Sequence, residues 1–176
     1  MMWQRLKRVH PFWWFVAFFV LLNVLWLGPT LLGGPGLEKG TRAPAFDLPR
    51  VDPGATGTVS LEQLRPSPTV LVFWATWCDS CLAEMRVLRA IRGRWSEREL
   101  DVLGMNVDED RSAARRFLAS HPLPYPNVSA GAAAAAYEVS RLPTVYVLSA
   151  GGTVCAGFKG RVGEAPLARA VERCSR

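Results

Sequence analysis

The sequence predicts an α/β fold, and three observations carry that prediction. Thr69–Trp74 is a continuous β-branched and aromatic run, too short for a helix and bounded by Pro66 and Pro68. A helix follows from about Asp79 to Trp95, with Leu82, Met85, Leu88, Ala90 and Ile91 at helical spacing. The pattern then repeats: Leu100–Val107 alternates as a second strand, and Ala113, Ala114, Phe117 and Leu118 mark a second helix, stopped by His121-Pro122. Such a β–α–β–α order implies parallel strands with right-handed crossovers. The third observation is Leu142–Leu148, a Gly151-Gly152 turn and Thr153–Phe158, an antiparallel hairpin that makes the sheet mixed.

From the N-terminus, residues 1–11 form a basic leader with Arg5, Lys7, Arg8 and no acid. Residues 12–32 carry no charge, and Asn23 is their one strongly polar side chain. As a helix they rise about 31 Å, enough for a hydrocarbon core of ~30 Å. Trp13, Trp14 and Trp26 stand towards the two ends, where indoles favour the interface. The expectation is one transmembrane anchor in the inner (cytoplasmic) membrane, with the leader inside and everything after Leu32 on the extracytoplasmic side. A cleaved signal peptide would have a shorter apolar core and a small-x-small site, which Gly28–Gly34 does not offer. A buried core helix would have an amphipathic face, and none is present.

Residues 33–40 read as a linker opening on Gly33-Gly34-Pro35-Gly36, and residues 41–176 as one folded domain. Prolines keep Gly40–Pro49 extended. A turn-rich patch from Asp52 to Gly57 leads to Thr58–Leu61, which predicts a short β-hairpin, and Ser60 is placed to cap one helical turn through Leu64. Asp108 or Asp110 caps the helix after the second strand. Leu123–Val128 reads as an extended connection, and the alanine-rich Gly131–Val139 as a helix packed closely on the sheet. The last helix spans Gly163 to about Cys174, with Leu167, Ala170, Val171 and Cys174 on one face.

The chemistry concentrates at Cys78-Asp79-Ser80-Cys81, where the first strand meets its helix. Two cysteines three positions apart at a helix start can close a small disulfide ring. The first faces unpaired amides and the positive helix end, which stabilise a thiolate. Cys78, in the exposed position, is the candidate nucleophile, and Cys81, one turn in, the resolving thiol. A purely structural staple gains little from so short a loop. Glu84 shares the side of the helix on which Cys81 lies; the alternative is an ordinary solvated glutamate. A net charge of +6 raises the question of nucleic acid, but the basic residues are scattered among acids with no basic stripe. No cofactor is implied, and zinc is disfavoured because no second Cys-x-x-Cys or suitably spaced histidine exists.

Five stretches together carry a family resemblance: Ala43–Leu48, Phe73–Cys81, Ala83-Glu84-Met85, Val107–Asp110 and Leu142-Pro143-Thr144. Over roughly residues 40–172 the chain resembles the membrane-anchored TlpA/ResA-like thioredoxin-fold proteins. The resemblance implies a thioredoxin fold with an added N-terminal hairpin and a central inserted helix. It implies a cis Pro143 facing the cysteine pair, and an acid, Glu84, that tunes or accepts protons during thiol–disulfide exchange. The substrate groove would then be bordered by Trp77, Asp79, Ser80, Leu142, Pro143 and Thr144. Partners implied are protein disulfide or thiol substrates and a membrane electron-transfer protein of the CcdA or DsbD type. Asp79 and Ser80 depart from the family, which often has proline there, as does Arg86. A carboxylate beside Cys78 opposes its thiolate and biases towards a reductant, while a Ser80 hydrogen bond offsets this; the leading reading is a protein disulfide reductase, with the oxidase direction as the alternative.

Cys155 and Cys174 are unusual for that family. They fall on the last strand and the last helix, and two readings stand: a structural disulfide, or two separate buried thiols. Within the oxidoreductase reading, apocytochrome c reduction is a specialised variant, but its dedicated subgroup usually has Glu where this chain has Thr144. A peroxidase would need Pro-x-x-x-Thr-x-x-Cys before the reactive cysteine, which is missing. A redox-inactive binding module is at odds with the intact cysteine pair.

Overall fold

The computed structural model describes residues 14–23, 36–64, 66–96 and 98–175. They fall into two compact units, one within 1–34 and one spanning 35–176. In the first, residues 14–23 form a helix, α1, whose large apolar side chains, Phe15 and Phe19 among them, are exposed. Among the described residues no helix is long and apolar enough to cross a membrane. The remainder of the 12–32 span lies outside the described residues, as do the basic leader and residues 33–35 of the linker.

The second unit opens with the predicted hairpin, β1 (Asp47–Pro49) against β2 (Thr58–Ser60). The single turn α2 (Leu61–Leu64) follows directly. Ser60 Oγ accepts from the Gln63 amide at 3.3 Å while Gln63 Oε1 accepts from the Ser60 amide at 2.9 Å, a reciprocal cap. The main sheet has the order β5-β4-β3-β6-β7, built from β3 (Thr69–Trp74), β4 (Asp101–Asn106), β5 (Asn127–Ser129), β6 (Thr144–Leu148) and β7 (Val154–Lys159). β3, β4 and β5 run parallel; β6 and β7 are antiparallel to their neighbours. The mixed α/β sheet is as predicted, except that β5 was expected as a connection. Three prolines in 122–126 mask it, and its three residues pair with the end of β4 on one side while Val128 bridges to Arg50 on the other.

Strand periodicity divides the core into two layers. Val70, Val72, Val145 and Val147 face α3 (Asp79–Arg94) and α6 (Glu164–Cys174), which contribute Leu88, Ile91, Leu167 and Val171. Leu71, Phe73, Tyr146 and Leu148 face the other way, onto Leu61, Leu64 and Tyr137. Helix α4 (Arg111–Ser120) joins β4 to β5, capped by Asp110, whose Oδ1 accepts from the Ser112 amide at 2.8 Å. It covers the end of β3 through Ala114 and Leu118. On α3 the expected core face is displaced: Leu82 is exposed and Ala90 half-buried, while Cys81 and Glu84 are buried with Met85, Leu88 and Ile91.

The alanine-rich helix is shorter than expected. α5 covers Gly131–Ala134, and none of its residues is buried, so close packing on the sheet does not explain the alanines. The chain turns on to Tyr137, then closes: the Glu138 amide donates to Ala135 O at 3.0 Å and the Val139 amide to Ala134 O at 3.0 Å, with Glu138 at φ 51°. That bond pair is a Schellman closure, with glutamate in the left-handed position usually given to glycine. Tertiary contacts override propensity here. The Tyr137 hydroxyl donates to Pro44 O at 2.7 Å and its carbonyl accepts from the Tyr146 hydroxyl at 2.8 Å.

Candidate active site

β3 ends at Trp74 and the chain makes one turn, with the Cys78 amide donating to Ala75 O at 3.2 Å, before α3 begins. Cys78 is the N-cap of α3. It is joined to Cys81 by a disulfide with Cα atoms 5.3 Å apart, and its Sγ accepts from the Cys81 amide at 3.2 Å. The sulfur therefore occupies the place where a capping oxygen usually satisfies a first-turn donor. Ser80 Oγ stands 3.4 Å from the same sulfur, which carries no proton in the disulfide, so the hydroxyl is the donor. Asp79 is exposed and points no hydrogen bond at the ring among the described contacts.

Cys78 is not in an exposed position: it is 7% accessible, against 1% for Cys81. Both pack with Trp74, Met85 and Leu118, and Leu142 leans on the same cluster. Trp77 supplies the exposed surface beside the ring, at 70% accessible.

Glu84 is buried at 1% accessible, so it is not a solvated helix residue. Its Oε2 accepts from the Val162 amide at 2.9 Å, and its Oε1 has no partner among the described residues. Burial pushes its carboxyl above the ordinary carboxylate range, opposed by the Val162 hydrogen bond and then by the charge of Arg161.

The Leu142–Pro143 peptide bond is cis. Pro143 is buried at the head of β6, whose Thr144 pairs with Phe73 near the end of β3, so the proline and the cysteine turn share one end of the sheet. Pro143 O accepts from the Gly160 amide at 2.7 Å. The Thr144 side chain is fully buried and donates to Arg141 O at 2.6 Å. Cys155 and Cys174 are joined by a second disulfide, Cα atoms 5.8 Å apart. It lies away from the first: Lys159 of β7 pairs with Thr144 at the site, and Cys155 is four residues back, roughly 13 Å along the strand.

Residues 39–156 match the AhpC/TSA family. The chain belongs to that family. It is 28% identical over 118 residues, 65% of this chain and 62% of the relative, to thiol-disulfide oxidoreductase ResA of Oceanobacillus iheyensis. It is 35% identical over 115 residues, 62% of this chain and 60% of the relative, to thiol:disulfide interchange protein DsbE of Pseudomonas fluorescens biotype C. The chain thus spans somewhat over half the length of these relatives. A crystal structure from Chlorobium tepidum assigned as a thiol:disulfide interchange protein DsbE superimposes with a TM-score of 0.72 at 26% identity, over 80% of this chain and 99% of that one. The resemblance read from the motifs holds, and with it the thioredoxin-like fold.

Asp108 is the site residue whose place the sequence did not reveal. Expected as a candidate helix cap, it instead accepts from the Thr76 amide at 3.0 Å, from Thr76 Oγ1 at 3.0 Å and from Asn106 Nδ2 at 2.7 Å. It ties the end of β4 to the residue two before Cys78. The visible signal was a pair of polar residues, Asn106 and Asp108, at alternate positions where an apolar strand ends. Asp108→Ala removes the acceptor of three donors at a residue only 7% accessible and should cost about 2 kcal/mol. Denaturant unfolding of the oxidised protein measures it; a loss under about 0.5 kcal/mol would show that Thr76 is held otherwise.

Proposed function

We propose that this chain is a membrane-tethered, extracytoplasmic thiol–disulfide oxidoreductase that reduces protein disulfides through Cys78 and Cys81. The observation that carries the reading is the redox ring closed on the first turn of α3, with Cys78 Sγ already accepting a first-turn amide. When the ring is reduced, that amide and the helix end stabilise the charge of a Cys78 thiolate.

The thiolate attacks one sulfur of a substrate disulfide, forming a mixed disulfide and releasing one substrate thiolate, which takes up a proton. Glu84 accepts the Cys81 proton as Cys81 attacks Cys78. The ring closes again, and two electrons have passed to the substrate as its second thiol leaves. A membrane protein of the CcdA or DsbD type returns two electrons to the ring. Trp77 offers an apolar platform beside the ring. Ser80, Asp79 and the Leu142-Pro143-Thr144 segment border the groove, with Thr144 contributing through its backbone because its hydroxyl is engaged. A peroxidase reading finds no support in the residues before Cys78: Leu71 and Ala75 stand seven and three positions ahead of it, where that chemistry needs proline and threonine.

The test of direction is the Cys78–Cys81 reduction potential of the full chain equilibrated with glutathione. A reductase should lie near the roughly −270 mV of thioredoxin; a value near the −120 mV or so of DsbA reverses the reaction. Membrane tethering is tested by alkaline extraction, which releases a peripheral chain and leaves an anchored one.

Glu84 gives two pH signatures. Glu84→Gln should remove a step from the pH profile of Cys81 alkylation in the reduced protein; superimposable profiles would sink the proton role. The second concerns stability. A carboxyl with a raised folded pKa holds its proton more tightly folded than unfolded, so stability falls as pH climbs from the ordinary carboxylate pKa through the raised one. In Glu84→Gln that decline should be lost.

A further inference from the structure

Among the described residues, the buried polar atoms without a hydrogen-bond partner include Oε1 of Glu84 and the hydroxyl of Tyr125. Their residues are 1% and 5% accessible. An unpaired buried hydroxyl or carboxylate oxygen is costly, and such atoms are uncommon in native folds. These two are complementary, since one can only donate usefully and the other only accept when ionised. They also share surroundings. Tyr125 packs in the layer that contains Leu88 and Val162. Leu88 is one helical turn beyond Glu84, and Val162 supplies the amide that Glu84 Oε2 accepts. Arg89 Nη2 donates to Pro122 O at 2.7 Å, which fastens α3 to the segment that carries Tyr125.

We infer that the Tyr125 hydroxyl is linked to Glu84 Oε1 through one buried water, and that Tyr125 is thereby a positioning residue for proton exchange at Cys81. The inference rests on the reading of Glu84 as the proton partner of Cys81. Glu84 is then held from two sides, by the Val162 amide directly and by the Tyr125 O–H through that water. Both bonds favour the ionised form, which burial opposes. Charged groups around the pair are Arg161 in the loop before α6, which acts on Glu84, and Arg89 on α3, which acts on Tyr125. Tyr125 itself does not give up its proton, because burial raises its ionisation well above the ordinary tyrosine range. Its contribution, relayed by that water, is to stabilise the carboxylate at the moment Glu84 must take the Cys81 proton.

The test uses the full chain in detergent, oxidised so that no thiol titrates, with the Glu84 carboxyl followed by carbon-13 NMR. In Tyr125→Phe the ring volume is kept and the donor lost, so the Glu84 midpoint should rise by about one pH unit or more. An unchanged midpoint overturns the inference. A readout that needs no variant guards against poor folding: in the unsubstituted chain the Tyr125 Cζ resonance should move with the Glu84 midpoint, and a flat resonance also overturns it. In the reduced protein, Tyr125→Phe should shift the pH profile of exchange upward and have no such effect in a Glu84→Gln background, whereas a merely structural role would act in both. If Glu84→Gln alone leaves that profile untouched while the Glu84 midpoint still responds to Tyr125→Phe, the proton role of Glu84 fails and the Glu84–Tyr125 link stands.

Discussion

Cys78→Ser should reduce disulfide exchange to the uncatalysed background, while Cys81→Ser should react once and stall with substrate attached. The difference follows from position. Cys78 caps α3 and is the more accessible sulfur, so without it no thiolate meets the substrate. Cys81 lies deeper, and its removal leaves the attack intact but eliminates the thiol that resolves the mixed disulfide. Insulin-reduction assays and non-reducing gels distinguish the two. A trapped adduct on Cys81 in a Cys78→Ser protein would exchange the assigned roles. The Cys81→Ser adduct also identifies substrates, since captured proteins can be recovered by adding a reductant.

The second large effect concerns stability. Cys155→Ser with Cys174→Ser should destabilise the fold by roughly 3 kcal/mol, because the bond closes a loop of sequence separation 19 in the unfolded chain. For a domain of this size that is about a 10 °C loss in Tm. The disulfide fastens the C-terminal end of α6 to β7, and α6 supplies Leu167, Ala168, Ala170 and Val171 to the core. Exchange at 25 °C should survive, since the bond lies at the far end of β7 from Thr144 and the redox ring. Thermal unfolding and insulin reduction on the same variant separate the two outcomes. A stable variant that has lost exchange would show that this disulfide takes part in the redox cycle.

Glu84 and Asp108 show where reading the chain alone reached its limit. Spacing places Glu84 on the Cys81 side of the helix, but one glutamate on a helix is compatible with solvent or core. The choice was made by the loop before α6, from which Val162 arrives 78 positions away to donate its amide. Asp108 had two possible uses in sequence. Its carboxylate is claimed by Thr76, 32 residues earlier, because β3 and β4 end side by side. The alanine run erred the other way: helix propensity is local, and the anchoring of Tyr137 to Pro44 and Tyr146 ended the helix early.

By itself the sequence determined the α/β class, the first strand and its helix, the hairpin at each end, and the pairing of Cys78 with Cys81. These are read from periodicity, turn residues and a three-residue spacing, all properties of neighbours along the chain. The tertiary structure alone decided which of the two readings of Cys155 and Cys174 holds, that β5 joins the sheet, that Asp108 braces the cysteine turn, and that Glu84 and Tyr125 are each buried. Each of these depends on groups brought together from distant parts of the chain, and burial turns an ordinary carboxyl into one with an altered proton affinity only when those groups exclude water.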